Sequence, residues 1–245
     1  MGKERHRWPA VIRLHVTAEG QTELSFVRAV LAPHLAKWGI FADARCVLTS
    51  RDNRVSREYR GGLLSYVKAK KDIISWLKED NHSECRFTTM FDLYALPEDF
   101  PGYNRAVGIS DRYERVRFLE DAMSKDIRDN RFVPYIQLHE FEAMILSDPQ
   151  KLDWEYLDHE EAIENLVALG KDKNPELIND GVMTAPSKRI IKEIPEYDKV
   201  SAGVSVVQRI GLDTLRCRCM HLGEWLLKLE GLKEDFTCQE SSERT

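Results

Sequence analysis

Val11-Ile12-Arg13-Leu14-His15-Val16 runs into Ala18-Glu19-Gly20-Gln21-Thr22-Glu23, and this junction decides the fold. The first stretch is short and apolar, as a strand with a buried face should be. Gly20 marks a tight turn, and Leu24, Val27, Val30 and Leu31 then fall on one helical face. The junction reads as strand, turn and helix start. It leaves Glu19 and Glu23 at the carboxyl end of a buried strand, where open α/β sheets gather their ligands. A second acidic strand end appears at Phe87-Thr88-Thr89-Met90-Phe91-Asp92. Two such ends in one small α/β protein point to a divalent-metal site, because hard cations take oxygen ligands.

Outward from that junction, strands and helices alternate. A helix over Thr22–Trp38 is expected to kink or divide at Pro33. Phe41–Leu48 follows as a strand, Arg51–Gly62 as a charged loop, and Leu63–Lys78 as a helix with Leu64, Val67, Ile74 and Leu77 on its apolar face. Arg86–Phe91 is the third strand, Pro97–Gly108 a loop, and Ser110-Asp111 the cap of a helix reaching about Arg128. Phe132–Leu138 gives a fourth strand and Glu140–Leu146 a short helix. This order implies a mostly parallel sheet with helices on its faces. Beyond Pro149 the texture turns helical, with helices over Asp158–Leu169 and Leu212–Leu229 around a stretch broken by Pro175, Gly181, Pro186 and Pro195. The expected division is an α/β core over residues 8–149, a helical C-terminal extension packed on it over 150–236, and a polar, disordered tail over 237–245.

Composition narrows the class. A chain of 245 residues with 42% hydrophobic and 31% charged content can bury one substantial core. No apolar run reaches the roughly 18 residues that span a bilayer. The basic start Met1-Gly2-Lys3-Glu4-Arg5-His6-Arg7 is not followed by a signal-peptide apolar region, so a cytoplasmic location is expected. Five scattered cysteines fit a reducing compartment better than a disulfide framework. The net charge of -5 argues against a purely electrostatic nucleic-acid binder but leaves room for a local basic groove.

The motifs carry a family likeness. Glu19-Gly20-x-x-Glu23 after the first strand and Asp92 after the third resemble the TOPRIM domain of topoisomerases, primases and nucleases of the overcoming-lysogenization-defect type. Longer strings are similar to a bacterial family of small TOPRIM-like proteins, often encoded beside an ATPase in what look like phage-defence or mobile-element settings. They are Thr88–Pro97, Phe132–Gln137, His139-Glu140-Phe141-Glu142-Ala143 and Thr184-Ala185-Pro186-Ser187-Lys188-Arg189. The resemblance implies a mostly parallel TOPRIM-like (Rossmannoid) sheet, a Mg²⁺ or Mn²⁺ cofactor, and nucleic acid as partner, DNA or RNA. It also implies a partner ATPase; no membrane partner is expected, because no apolar run is long enough to span a bilayer. One departure stands out: TOPRIM domains carry Asp-x-Asp after the third strand, and this chain has Asp92-Leu93-Tyr94. Glu98, Asp99 or Glu142 can stand in for the missing acid, and Glu142 is preferred.

Each site residue has a plainer reading beside the functional one. Glu19 is the candidate catalytic acid or base, and Glu23, Asp92 and Glu142 the candidate metal ligands. Yet Glu23 also suits the first turn of a helix, where an acid gains about 0.3–1 kcal/mol, and Asp92 suits a turn that ends a strand. Glu140 and Glu142 would diverge by about 200° on a regular helix. His139, Lys188 and Arg189 are candidate substrate-binding residues; a structural histidine and a solvated surface pair are the alternatives. Arg51, Arg54, Arg57 and Arg60 either line a nucleic-acid path or are mobile surface charge. Cys217-x-Cys219-x-His221 offers too few ligands for structural zinc. Two functions follow: metal-dependent phosphodiester hydrolysis of nucleic acid, or a non-catalytic regulatory partner of an ATPase with a degraded site.

Overall fold

The computed structural model describes residues 11–52, 57–60, 63–178 and 184–242. The junction at Gly20 forms as the pattern demands: β1 (Ile12–Ala18) ends, the chain turns, and α1 (Gln21–Phe26) begins. The helix continues through a π turn, Val27–Leu31, into α2 (Ala32–Ala36). That wide turn lies just ahead of Pro33, which has no N–H to give and whose ring crowds the preceding turn. β2 (Ile40–Cys46) then pairs with β1 in parallel, Ile12 opposite Ile40 through Ala18 opposite Cys46. On its other side β1 pairs in parallel with β5 (Cys85–Asp92), with Arg13 opposite Cys85 and Ala18 opposite Met90. β6 (Phe132–Val133) and β7 (Ile136–Gln137) both run parallel to β5. The main sheet has the order β2-β1-β5-β6, so β1 and β5 are its central strands. The expected α/β class, a mostly parallel sheet flanked by helices, is what forms.

Helices cover both faces. On one face Ile12, Leu14 and Val16 of β1 and Met90 of β5 pack against α1, α2 and the C-terminal helices. On the other, Cys85, Phe87 and Phe91 of β5 pack against α3 (Tyr66–Glu79) and α5 (Arg112–Ile127). Every residue of β5 is buried, as expected of a central parallel strand. Its threonines are satisfied inside: Thr89 Oγ1 accepts from Tyr135 N–H at 3.0 Å and donates to Tyr135 O at 2.9 Å.

Several elements differ from the sequence reading. The expected loop at Arg51–Gly62 contains an antiparallel hairpin, β3 (Leu48–Asp52) with β4 (Arg57–Arg60); Arg54 lies outside the described residues. α3 buries Tyr66, Ala69, Ile73, Trp76 and Leu77, while Leu64 and Val67 are exposed. The expected strand Phe132–Leu138 is split, because Pro134 offers no N–H to a ladder. Glu140–Leu146 forms two short 3₁₀ turns instead of a helix. The Pro97–Gly108 stretch carries α4 (Tyr103–Ala106). Asp111 caps α5 as expected, its Oδ1 accepting from Glu114 N–H at 2.8 Å.

The C-terminal half contributes α6 (Glu160–Gly170), α7 (Pro186–Glu193), a π turn at Lys199–Gly203, α8 (Val204–Ile210), α9 (Leu212–Arg218) and α10 (Met220–Ser242). α10 runs on past Thr237, into the segment that composition marks as a polar tail. The expected single helix Leu212–Leu229 breaks at Cys219, whose backbone turns extended. A buried polar network fixes α10 to the rest. Glu176, with no exposed surface, accepts from the N–H groups of His221 (2.9 Å) and Leu222 (3.0 Å) and from the Tyr113 hydroxyl (3.0 Å). Its carboxylate thus caps the start of α10. His221 Nε2 meets Glu120 Oε1 at 2.9 Å, and Trp225 donates to Thr88 Oγ1 at 3.0 Å while stacking on Tyr135. Replacing Glu176 strands three donors at once, so Glu176→Ala should lower unfolding free energy by about 3 kcal/mol, read from urea denaturation.

At the far end of the sheet, Asp80 gathers Arg13 Nη2 (2.9 Å) and His15 Nε2 (2.9 Å). Burial pushes its carboxyl upward, but hydrogen bonds with Cys85 and His15 and the Arg13 charge outweigh this and hold it down to about 2. An unfolded Asp titrates near about 3.9, so the native state favours the carboxylate. The resulting stability is fully present above about pH 4 and is lost as pH falls toward about 2. The melting-temperature gap between wild type and Asp80→Asn should therefore be widest near neutral pH and close on acidification; a gap that is constant with pH would contradict the assignment.

Candidate functional site

The β1–β5 register sets the site. Glu19 N–H donates to Met90 O at 3.0 Å, which places Glu19 beside the end of β5. Its Oε2 then accepts from Asp92 N–H at 2.9 Å, and Leu63 N–H also bonds this carboxylate. Glu23 folds back across the helix start, and its Oε2 accepts from Gly20 N–H at 2.9 Å. A Cβ on residue 20 would lie 3.2 Å from that oxygen, so glycine gives the carboxylate its room. Glu142 arrives from the other side of β5. After β7 the chain turns through His139, whose φ of 65° is a left-handed conformation uncommon for a side-chain-bearing residue. The 3₁₀ turn Phe141–Ala143 follows and buries Glu142 completely.

These acids meet at a lysine that the motifs do not reveal. Lys199 Nζ lies 3.4 Å from Asp92 Oδ2, 3.4 Å from Glu142 Oε2 and 3.7 Å from Glu23 Oε1. It stands on the π turn Lys199–Gly203, which Asp198 starts by accepting from Ser201 N–H at 2.7 Å. Gly203 lets that turn press inward, since a Cβ there would sit 2.6 Å from the Tyr197 hydroxyl. Glu23, Asp92 and Glu142 are buried, whereas the lysine side chain is 36% exposed, so Lys199 forms the solvent side of the cluster.

One ammonium cannot balance three buried carboxylates with the half-buried Glu19 nearby. Burial and mutual repulsion with Glu23, Glu19 and Glu142 push Asp92 well above the carboxylate range, against the pull of Lys199. Burial lifts Glu19 to about 7 despite its bond from Asp92 N–H, and lifts Glu142 to about 7 despite Lys199. Burial would lower Lys199, but Asp92, Glu142 and Glu23 outweigh that and keep it protonated. Glu23 Oε1, Asp92 Oδ1 and both Glu142 oxygens are buried without a hydrogen-bond partner. Orphaned carboxylate oxygens beside a cation are the donor set of a hard divalent ion. Glu23, Asp92 and Glu142 therefore fit Mg²⁺ or Mn²⁺ in chemistry. Among the described residues, only His15, Asp80 and Cys85 bring three donor atoms within 4.8 Å of one another, so Glu23, Asp92 and Glu142 surround the lysine without closing on a point.

The remaining sequence candidates fall elsewhere. Asp99 is committed to the start of α3, accepting from Tyr66 N–H at 2.9 Å and from Ser65 Oγ at 2.8 Å, and Glu98 is exposed. Lys188 is exposed on α7, and Arg189 Nε donates to Thr184 O at 2.8 Å. The start of α7 holds a carboxylate: Ser187 N–H donates to Glu140 Oε1 at 2.6 Å. His139 is buried, and burial together with Arg112 and Arg115 lowers it to about 4, so its ring is neutral at pH 7. Cys219 contacts Ser147 Oγ and Cys217 is exposed.

The fold and site define a class: a parallel α/β protein with an acidic cluster at the carboxyl edge of its central strands. Within that class the chain belongs to the family described as Domain of unknown function (DUF4276), which matches residues 18–230. No curated protein matches it. Similar solved structures include the C-terminal region of the Burkholderia pseudomallei OLD protein, at 16% identity and TM-score 0.44 over 91% of this chain and 98% of that one. The C-terminal region of the Xanthomonas campestris pv. campestris OLD protein is also similar. Its platinum-phased structure gives 13% identity and TM-score 0.43 over 95% and 97% of the two chains. The mercury-phased structure gives 15% and 0.42 over 94% and 98%.

If the lysine and a divalent ion compete for the same oxygens, removing the lysine favours the ion. A unit charge about 4 Å away is worth on the order of 4 kcal/mol at an effective dielectric of 20. Lys199→Met should bind Mn²⁺ at least about tenfold more tightly than wild type in isothermal titration. Equal affinity in the two proteins would show that they do not compete.

Proposed function

We propose that the protein is a metal-dependent nuclease that hydrolyses phosphodiester bonds at the Glu19–Glu23–Asp92–Glu142 cluster. The observation that carries this reading is the set of orphaned, buried carboxylate oxygens at the carboxyl end of β1 and β5. The likeness of Glu19-Gly20-x-x-Glu23 and Asp92 to the TOPRIM pattern supports it. Glu23, Asp92 and Glu142 would hold the ion, which as Mg²⁺ or Mn²⁺ would supply Lewis acidity and lower the pKa of a bound water. Glu19 is fixed by Asp92 N–H and lifted to about 7, so near neutral pH it exchanges a proton readily. It would take the proton of the attacking water. Lys199, protonated and on the solvent side, faces the charge that builds on the phosphate oxygens. On this reading substrate contacts would fall to His139, Lys188 and Arg189, and the protein would act in the cytoplasm beside a partner ATPase in phage defence.

A second reading rests on Lys199 itself. An ammonium within 3.4 Å of Asp92 and Glu142 is a resident counter-ion, as in a site that keeps the fold without the chemistry and serves to regulate an ATPase. Mutagenesis separates the two. Under the nuclease reading, Asp92→Ala and Glu19→Gln lower Mn²⁺-dependent cleavage by roughly 10²–10⁴-fold. The metal-free melting temperature of Asp92→Ala should stay level or rise, because a buried acid among like charges is removed. Full biological activity in both variants, tested with the co-encoded ATPase, would transfer the assignment to the regulatory reading.

A further inference from the structure

The opposite end of the sheet holds a different donor set. Arg13 and His15 alternate with Leu14 on β1, so both point to one face of the sheet. Arg13 stands opposite Cys85, the first residue of β5. Asp80 follows the last turn of α3, where its N–H donates to Trp76 O at 3.0 Å and its O accepts from Arg131 Nη1 at 2.9 Å. These elements bring a nitrogen of His15, a carboxylate oxygen of Asp80 and the sulfur of Cys85 within 4.8 Å of one another.

The three donors are held in place by their surroundings, as a metal site requires. The His15 ring lies against Trp76 and Phe87, with centroids 4.6 and 4.9 Å away. Its Nε2 is 2.9 Å from Asp80 Oδ2, and Asp80 is hydrogen-bonded to the Cys85 thiol as well. One cation already sits against two of the donors: Arg13 Nη2 is 2.9 Å from Asp80 Oδ1 and 3.1 Å from Cys85 Sγ. The Arg13 side chain is 45% exposed, against 16% for Asp80 and 13% for His15. The guanidinium is therefore the part that can turn out into water and open a way in. Thiolate, imidazole and carboxylate together suit Zn²⁺, whereas Mg²⁺ and Mn²⁺ prefer oxygen alone. The thiolate and the carboxylate supply two negative charges to a divalent ion. Burial and the bond with Asp80 push the thiol up to about 11, but a coordinating thiol is deprotonated by the metal itself, and its proton passes to solvent.

We propose that His15, Asp80 and Cys85 bind Zn²⁺, with water as the fourth ligand and Arg13 displaced outward. Three protein ligands leave one tetrahedral position open, which distinguishes the site from a closed structural zinc. It is separate from the acidic cluster. β5 is eight residues long, so Cys85 at its start and Asp92 at its end stand roughly 23 Å apart. The zinc site goes beyond the nuclease reading and does not depend on it.

The test is a Co²⁺ titration of the full chain, stripped with EDTA and desalted, because cobalt takes zinc sites and is visible in them. The wild type should show a sulfur-to-cobalt charge-transfer band in the near ultraviolet and the intense visible bands of tetrahedral cobalt. Added Zn²⁺ should abolish both, and excess Mg²⁺ neither. Cys85→Ser should remove the charge-transfer band. His15→Gln and Asp80→Asn should each weaken cobalt binding at least about tenfold, since even the outer partners of a ligand are worth about 10–100-fold. Arg13→Met should bind more tightly than wild type, because a competing charge is gone. Asp92→Ala, at the other end of β5, should keep the band and the affinity. Where a ligand variant fails to fold in a thermal melt, the wild-type spectrum and Arg13→Met carry the decision. Absence of the sulfur band in the wild type, its survival in Cys85→Ser, or its loss in Asp92→Ala overturns the proposal. An Arg13→Met variant no tighter than wild type overturns the displacement of Arg13. Failure of Mn²⁺-dependent cleavage refutes hydrolysis and leaves the zinc site, and failure of the cobalt spectrum does the reverse.

Discussion

Three buried carboxylates around one lysine, with the half-buried Glu19 near them, are the constraint on which the rest of this structure depends. Like charges out of water repel strongly and resist ionisation. The fold tolerates them here because each is held by a different rigid element. Glu19 is fixed by the β1–β5 register, Glu23 by the start of α1, Asp92 by the end of β5, and Glu142 by the turn at His139. Relaxing the repulsion would require several of these elements to shift together. The cluster stays instead, and burial raises Glu19 and Glu142 to about 7, which favours protons on them.

The same constraint explains why the C-terminal half is integral to the site. Lys199 reaches Asp92 across 107 positions of sequence, from a π turn that belongs to the helical extension. That extension is held by groups that leave little freedom. Glu176 caps α10, His221 reaches Glu120, and Trp225 bonds Thr88 on the central strand. Thr88 lies on the strand that ends at Asp92, so one strand both anchors the extension and presents an acid to it.

What the sequence showed and what it hid divide along physical lines. An apolar run that ends in an acid is a local signal, so Glu19, Glu23 and Asp92 were legible, and with them the β-α order and the parallel sheet. Glu142 was legible as an acid but not in its setting, because two 3₁₀ turns replace the helix on which its direction was reckoned. Lys199 was hidden: Asp198 signals the start of a helical turn, yet nothing local says which charges that turn will meet. The apolar face of α3 was misplaced because Leu64 and Val67 outweigh Ala69 on hydrophobicity, whereas Tyr66 and Trp76 bury more surface. The hairpin at β3–β4 was obscured by its charge, since strands are recognised by apolar alternation.

Charge arithmetic also bears on the choice between enzyme and regulator. Lys199 brings one positive charge to the three carboxylates it touches, and protons on the elevated acids reduce the remaining deficit. A site kept only for its shape gains nothing from such an imbalance: apolar residues of similar volume would fill it at equal or better stability. A site that binds a divalent ion needs the deficit, because the ion exchanges for those protons and relieves the repulsion. Destabilising chemistry held in place by a well-packed scaffold is the usual mark of function. On that ground the orphaned oxygens of Glu23, Asp92 and Glu142 weigh more than the presence of the lysine, and the hydrolytic reading stands first.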